Sequence, residues 1–261
     1  MAAVAARHDG LLEAPRVDAD GSLLYSDVMG GGVWRLTVDG GIEAVVPKRR
    51  GVGGLVPHRD GGVVVSGRTV AHVRDGETRE LLELDGAPGF NDLHTDAEGR
   101  VLAGALRFHP FRGEQPVPGE VWRIDGPGDA EAVGTGVHWA NGIGVSPDGG
   151  RIYVSDYAQG VVLLYEGGPE PTVFAKPPSG SCDGLAVDEE GGVWVALGDA
   201  GAVGRFDPDG GLDGVADVPA GFVSSISFGG PDRRDVHITT IGGLFRARSE
   251  VAGVATSPAT V

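Results

Sequence analysis

Apolar residues in this chain come in short runs, and the runs are separated by compact polar turns. Val63-Val64-Val65, Val101-Leu102-Ala103-Gly104 and Val193-Trp194-Val195-Ala196 each follow a short turn that contains an acidic residue and glycine, and stop after a few residues. No long stretch places apolar residues at i, i+3, i+4 and i+7, so amphipathic helices are not expected. Asp-Gly and Gly-Gly between apolar runs are strong hairpin signals. The pattern predicts many short antiparallel strands joined by tight turns.

The strands recur as one unit. The first covers Val17 to Asp27 and Gly32 to Leu36, closing on Asp39-Gly40; the second covers Leu55 to Val65 and Thr69 to Val73, closing on Asp75-Gly76. The third covers Leu93 to Gly104 and, after an insertion, Glu120 to Gly126; the fourth covers Ile143 to Asp156 and Gly160 to Tyr165. The fifth begins at Ser181-Cys182-Asp183-Gly184-Leu185 and continues from Gly201 to Gly210; the sixth covers Ile226 to Thr240 and Gly243 to Arg246. The spacing is close to the roughly 40–50 residues of a propeller blade. A two-sheet sandwich would need Greek-key alternation in place of one repeated unit. The expectation is therefore an all-β, six-bladed β-propeller made of one domain, residues 1–261. Residues 1–10 are expected to supply the closing outer strand of the sixth unit, which would remove exposed sheet edges. Their rival for that role is the 251–255 segment of the C-terminal tail, 249–261.

In a propeller the first strand of each blade lines the central channel, so residues just before it converge at one mouth. Two positions before the leading residues of the units stand Pro15, Gly53, Asn91, Asn141, Asp183 and Ser224, and Glu13 lies two residues further back in the first unit. This register puts Glu13, Asn91, Asn141 and Asp183 around one opening. Two carboxylates and two amide oxygens suit a hard divalent cation, so a central metal site joins the expected fold. Each of these residues taken alone reads better as a turn cap; their common register is what points to a shared site.

Composition narrows the partners. Forty-seven glycines and 17 prolines accompany a hydrophobic fraction of 41%, which fits a turn-rich globular chain and not a disordered one. The net charge of −16 opposes binding to nucleic acid or to anionic membrane surfaces. A single cysteine, Cys182, leaves no intrachain disulfide and suits a reducing compartment. The segment 1–10 is too short and polar for a secretory signal, and no run reaches the roughly 18 apolar residues of a membrane helix. A cytoplasmic, soluble protein acting on a small molecule, as a monomer or weak oligomer, is expected.

Glu13-Ala14-Pro15, Phe90-Asn91-Asp92, Ala140-Asn141-Gly142 and Cys182-Asp183-Gly184-Leu185, with Phe228-Gly229-Gly230 after them, resemble the senescence marker protein (regucalcin), gluconolactonase and luciferin-regenerating-enzyme family. The resemblance extends from about Leu12 to Gly253. It implies a propeller with one divalent metal (Ca²⁺, Mg²⁺, Mn²⁺, Zn²⁺ or Fe²⁺) and hydrolysis of sugar lactones. It also implies that Glu13, Asn141 and Asp183 are the metal ligands and that Asn91 is a metal-associated or substrate-binding residue. In the animal sugar lactonases an arginine precedes the Phe-Asn-Asp motif; here that position is Gly89, which leaves sugar specificity open.

Lactone opening needs a polarised carbonyl and an activated water, both of which a bound cation can provide. Asp183 is then ligand and candidate general base, and Asn91 orients water or substrate. The insertion from Leu106 to Gly119 is expected to form a loop over the mouth, where loops often carry specificity. Arg107 and His109 on it, and His138 and Trp139 before Asn141, are candidate substrate contacts, while Phe108 and Phe111 favour a less polar substrate than a sugar acid lactone. Cys182 has no histidine in register and reads as a packing residue. Alternatives at the same metal are phosphotriester hydrolysis or a ring-opening or isomerising step; outside enzymes, the alternative is a ligand-binding propeller.

Overall fold

The computed structural model describes residues 2–261, so residue 1 of the expected 1–10 segment lies outside the described residues. The long strand β1 (Ala3–Val17) is followed by β2 (Leu23–Asp27), β3 (Val33–Leu36) and β4 (Ile42–Val46). Then come β5 (Leu55–Pro57), β6 (Val63–Val65), β7 (Val70–Arg74) and β8 (Glu77–Leu82), and after them β9 (Gly89–Thr95), β10 (Val101–Leu106), β11 (Gly119–Gly126) and β12 (Asp129–Val137). The next set is β13 (Ala140–Val145), β14 (Arg151–Asp156), β15 (Val161–Glu166) and β16 (Thr172–Ala175), then β17 (Leu185–Val187), β18 (Val193–Ala196), β19 (Ala202–Phe206) and β20 (Leu212–Asp217). β21 (Val223–Gly229) and β22 (Asp235–Arg248) complete the strands. Among the described residues, no helix is long and apolar enough to cross a membrane.

The turns close by a recurring device. In the fifth unit the Asp188 carboxylate accepts from the backbone N–H of Glu190 (3.0 Å) and Gly192 (2.8 Å), and Asp207 does the same for Asp209 and Gly211 (both 2.9 Å). An aspartate that bonds its own turn favours this geometry over strand continuation. Gly191 and Gly210, at φ +84° and +85°, take up the left-handed position that the turn requires.

The strands form five sheets, and this corrects the expected six-bladed propeller to a five-bladed one. Four sheets have four strands each, while the fifth has six, in the order β21-β22-β1-β2-β3-β4. The reason is that β1 runs unbroken through two roles: Ala3 to Leu11 pairs with β22, and Leu12 to Val17 pairs with β2. The first and sixth sequence units are thereby fused into one hydrogen-bonded sheet. Within it β22 doubles back at Gly242 (φ +83°), so that Ser249 N–H donates to Arg234 O at 2.8 Å.

The inner strands adjoin one another in the sequence β1, β5, β9, β13, β17, β21 and back to β1. Their approach is close enough to exclude side chains at particular positions. A Cβ at Gly54 would lie 2.2 Å from Leu93 N, one at Gly142 would lie 2.1 Å from Leu185 N, and one at Gly184 would lie 2.1 Å from Ser225 Oγ. Direct bonds tie this ring: Gly184 N–H donates to Ser224 O at 2.8 Å, and Ser224 Oγ donates to Leu12 O at 2.5 Å. Between sheets the core is made by fully buried residues such as Leu93, Ile143, Val193 and Ile226. Each such side chain contributes roughly 1.5–3 kcal/mol on burial. The C-terminal tail crosses the far ends of the inner strands, with Val254 N–H donating to Val187 O (2.9 Å) and Ala259 N–H to Pro57 O (2.8 Å). The opposite end, where the inner strands begin, holds the candidate site.

Candidate functional site

Most of the residues singled out at the mouth sit where an inner strand breaks register. β1 shifts against β2 between Glu13 and Arg16, β9 shifts against β10 between Phe90 and Leu93, and β13 shifts against β14 between Ala140 and Ile143. A bulge inserts residues that the partner strand does not match, and it re-aims their side chains. Asn91 and Asn141 are such inserted residues, while Glu13, still paired with Ser26, is the last matched residue before the bulge at Ala14 and Pro15. In the first bulge Ala14, fully buried, adopts φ +48°. A left-handed alanine is costly and persists only where its surroundings fix it. Asp183 stands just ahead of β17, held by its N–H to Ala196 O at 2.9 Å and by its carbonyl, which accepts from Gly142 N–H at 3.2 Å.

These side chains are inside the protein: Glu13, Asn141 and Asp183 are all buried. Burial, and then the negative charges of Asp183 and Asp92, push the Glu13 carboxyl well above its ordinary range. Burial and the charge of Asp92 do the same to Asp183, with the Asn141 side chain pulling weakly the other way. Asp183 Oδ1 is buried without a hydrogen-bond partner. Two neighbouring carboxylates, one with an orphaned oxygen, form an arrangement that burial alone penalises and a cation relieves. Among the described residues, no group of three or more His, Cys, Asp or Glu side chains is placed to hold a metal ion, and the expected central metal site is corrected to that extent. The donors that do come together are two carboxylates and an amide, an all-oxygen set whose chemistry fits a hard cation.

Beneath this layer lies a second one that the register argument passed over. One residue after the site positions come Arg16, Gly54, Asp92, Gly142, Gly184 and Ser225. Arg16 and Asp92 face each other at 3.9 Å, and the Arg16 guanidinium also donates to Pro15 O and Leu93 O, both at 2.8 Å. Burial raises the Asp92 carboxyl to about 6 in spite of Arg16, and desolvation, with the Arg16 charge added, lowers the half-buried His94 imidazole to about 3. Moving the register by a single residue would have found this pair in the sequence.

The remaining candidates divide. Asn91 Nδ2 donates to Ala140 O at 2.9 Å, and its Oδ1 rests against Gly53, where a Cβ would stand 2.2 Å away. Arg107 is spent on structure, since its Nε lies 2.9 Å from Glu120 Oε2 and its NH1 donates to Asp85 O at 2.9 Å. His109 N–H donates to Glu114 Oε2 at 2.7 Å just before the short 3-10 turn Pro110–Arg112. At Gly89 a Cβ would approach Gly67 O to 2.5 Å, so the backbone itself excludes a side chain there. His138 and Trp139 are fixed by the buried Asp156 carboxylate, which accepts their backbone N–H groups at 2.8 and 3.3 Å. Trp139 meets Phe108 edge-on at 5.4 Å and Tyr157 at 4.8 Å between ring centroids. Tyr157 and Asp156 carry no signal in the repeat register as read from the first strands. They become visible only because β14 runs back to the mouth.

The family profile described as SMP-30/Gluconolactonase/LRE-like region matches residues 11–242. The chain belongs to this family. It is 32% identical over 233 residues to the pentonolactonase XacC of Haloferax volcanii, covering 85% of this chain and 78% of that one. It is 31% identical over 234 residues to the 6-deoxy-6-sulfogluconolactonase of Pseudomonas putida, covering 84% and 78%. The solved structure of a calcium-binding protein, regucalcin, from Agrobacterium tumefaciens shares the fold at a TM-score of 0.82 and 20% identity, covering 98% of this chain and 96% of that one. Membership in the SMP-30/gluconolactonase family supports a hydrolase activity of lactonase type.

Proposed function

We propose that the protein is a divalent-cation-dependent lactonase that hydrolyses the ring ester of a small lactone at the mouth formed by Glu13, Asn91, Asn141 and Asp183. The observation that carries this reading is the orphaned Oδ1 of the buried Asp183, set beside the likewise buried Glu13. A carboxylate pair in that state is destabilised unless a positive charge stands between its members. Glu13, Asn141 and Asp183 would hold the cation, and calcium binding by the regucalcin of Agrobacterium tumefaciens supports that choice of partner. When bound, the cation supplies Lewis-acid polarisation of the ester carbonyl and lowers the pKa of water.

The chain's own groups do the rest. Asp183 Oδ1, buried at the mouth without a hydrogen-bond partner, accepts a proton from the attacking water. Asn91 holds one amide edge on Ala140 O and so presents its Oδ1 in a fixed direction, which suits it to orient water or the lactone ring. The bulges at Glu13, Asn91 and Asn141 fix these atoms on strands, and a rigid mount is what preorganised catalysis requires. Attack on the carbonyl carbon opens the ring to a hydroxy acid, whose anion the strongly acidic protein repels.

The test is hydrolysis of a panel of γ- and δ-lactones, followed by proton release, with the chelated protein and after adding Ca²⁺, Mg²⁺ or Mn²⁺. Turnover that appears with one of these ions and is lost in Asp183→Ala supports the assignment. An Asp183→Ala protein that keeps both cation affinity and hydrolysis refutes it.

A further inference from the structure

Three polar side chains beside the proposed site have no part in the mechanism above. Tyr157 follows Asp156 at the end of β14, Ser181 lies two residues ahead of Asp183, and Asp199 lies just past β18. The antiparallel course of β14 against β13 and of β18 against β17 returns both strand ends to the mouth. The three residues are therefore neighbours there although they are distant in sequence. Ser181 N–H donates to Asp199 Oδ1 at 3.2 Å, and Ser181 Oγ stands 3.5 Å from the same oxygen. Gly198 is what lets the Ser181 hydroxyl take this place, since a Cβ at that residue would lie 2.0 Å from Ser181 Oγ.

Tyr157 extends the strip toward the reacting centre. Its ring lies against Trp139, its backbone N–H donates to Trp139 O at 3.0 Å, and the Ser181 hydroxyl neighbours its phenol. Trp139 stands two residues ahead of Asn141, so the Tyr157 ring packed on it lies at the edge of the site. Trp139 is half-buried and held from behind by Phe108 and by Asp156. The mouth thus offers one flat aromatic face and, along its edge, a phenol, a hydroxyl and an exposed carboxylate. An aromatic face accepts the C–H side of a ring, while a phenol, a hydroxyl and a carboxylate together donate to and accept from hydroxyl groups.

We propose that Tyr157, Ser181 and Asp199 are specificity-determining residues that hydrogen-bond the ring hydroxyls of the substrate, with Trp139 as the stacking face. The proposal rests on the lactonase reading and adds the residues that select the substrate. It displaces Arg107 from that role, because Arg107 is already committed to Glu120 and Asp85. It also sets aside the expectation, drawn from Phe108 and Phe111, of a less polar substrate. Phe108 is buried behind Trp139, and Phe111 is exposed with no aromatic partner.

The experiment compares glucono-δ-lactone with δ-valerolactone, the same ring without its hydroxyls, in the cation-loaded wild type and in Tyr157→Phe and Asp199→Asn. The ratio of the two kcat/KM values reads hydroxyl recognition directly, and any general damage to the fold cancels from it. Loss of a hydrogen bond to a charged or phenolic partner lowers that ratio by about tenfold to a hundredfold, chiefly through KM for the hydroxylated lactone. Asp199 is exposed, so its conversion to Asn leaves packing intact and keeps the test sharp if Tyr157→Phe folds poorly. A wild-type preference for glucono-δ-lactone that falls in both variants supports the proposal. A ratio that stays within about twofold of wild type in both overturns it while leaving the lactonase reading in place. Turnover of neither lactone with any cation overturns the lactonase reading itself.

Discussion

Replacing Gly142 by alanine tests how the ring of inner strands makes the site. An alanine Cβ at this position would stand 2.1 Å from Leu185 N, 2.6 Å from Gly184 C and 2.8 Å from Gly184 Cα. All three obstacles are backbone, so no rotamer change relieves them. Ordinary contact needs roughly 3.5 Å, and β13 and β17 must therefore separate by about 1 Å. Overpacking of this kind costs about 1–3 kcal/mol, and at this chain length each kcal/mol lowers Tm by about 2–4 °C. The shift also strains the bond from Gly142 N–H to Asp183 O and draws Asn141 away from Asp183. A displacement of about 1 Å at a catalytic constellation can cost on the order of a hundredfold in rate. Gly142→Ala is thus expected to lower Tm by several degrees and to weaken lactone turnover and cation affinity more than stability alone explains. Gly214→Ala is the control, because a Cβ there, on the exposed strand β20, meets nothing within 4 Å. Differential scanning fluorimetry and calorimetric cation titration read both variants. If Gly142→Ala melts with Gly214→Ala and binds cation equally well, the close approach is not what the Asn-Gly pair provides.

Further outcomes follow from the same geometry. In chelator, the contribution of Glu13, Asp92 and Asp183 to stability should fall as pH rises, because burial holds them above their ordinary values and the folded state keeps protons that the unfolded chain has lost, while His94 and His237, lowered to about 3 and about 4, act the other way below 6.5. With Asp92 at about 6 against 3.8, its share falls by about 1.4 kcal/mol between pH 5 and 8, read by urea unfolding as the difference between wild type and Asp92→Asn; a difference that does not change with pH contradicts the charge argument. Asp156→Ala removes the acceptor for the N–H groups of His138 and Trp139 and for Gln159, and leaves those groups unpaired. It should cost about 2–4 kcal/mol and raise KM more than it lowers kcat; an unchanged KM would free Trp139 from any substrate role. Cys182 is fully buried and its thiol is raised to about 12, so it should resist thiol reagents in the folded protein, and Cys182→Ala should keep its activity.

Much of this architecture can be read from the chain, for physical reasons that also mark the limits of the reading. The hairpins are legible because Asp and Gly at fixed places in each turn make a local bond and a positive φ that need no tertiary context, as Asp188 and Gly191 show. Glu13, Asn91, Asn141 and Asp183 are legible as a group because one register carries them to one mouth. Their bulges are not legible, since a bulge is a relation between two strands and the sequence shows only one at a time. The same limit hid the sharing of β1, where Asp9-Gly10 reads locally as a turn but lies inside a strand that pairs first with β22 and then with β2, and six expected blades become five sheets. Tyr157, Ser181 and Asp199 were missed because each lies outside the first-strand register, and only the return of β14 and β18 gathers them.

The central claim is that Glu13, Asn141 and Asp183 hold a cation on which lactone hydrolysis depends. One titration tests it most directly: Ca²⁺ or Mn²⁺ added to chelated wild-type protein and to Asp183→Asn, with binding heat and lactone turnover followed together. The account predicts one site per chain in the wild type, turnover that rises in step with its occupancy, and loss of both in the variant. Undiminished hydrolysis by the cation-free wild type, or equal cation binding by Asp183→Asn, would contradict it.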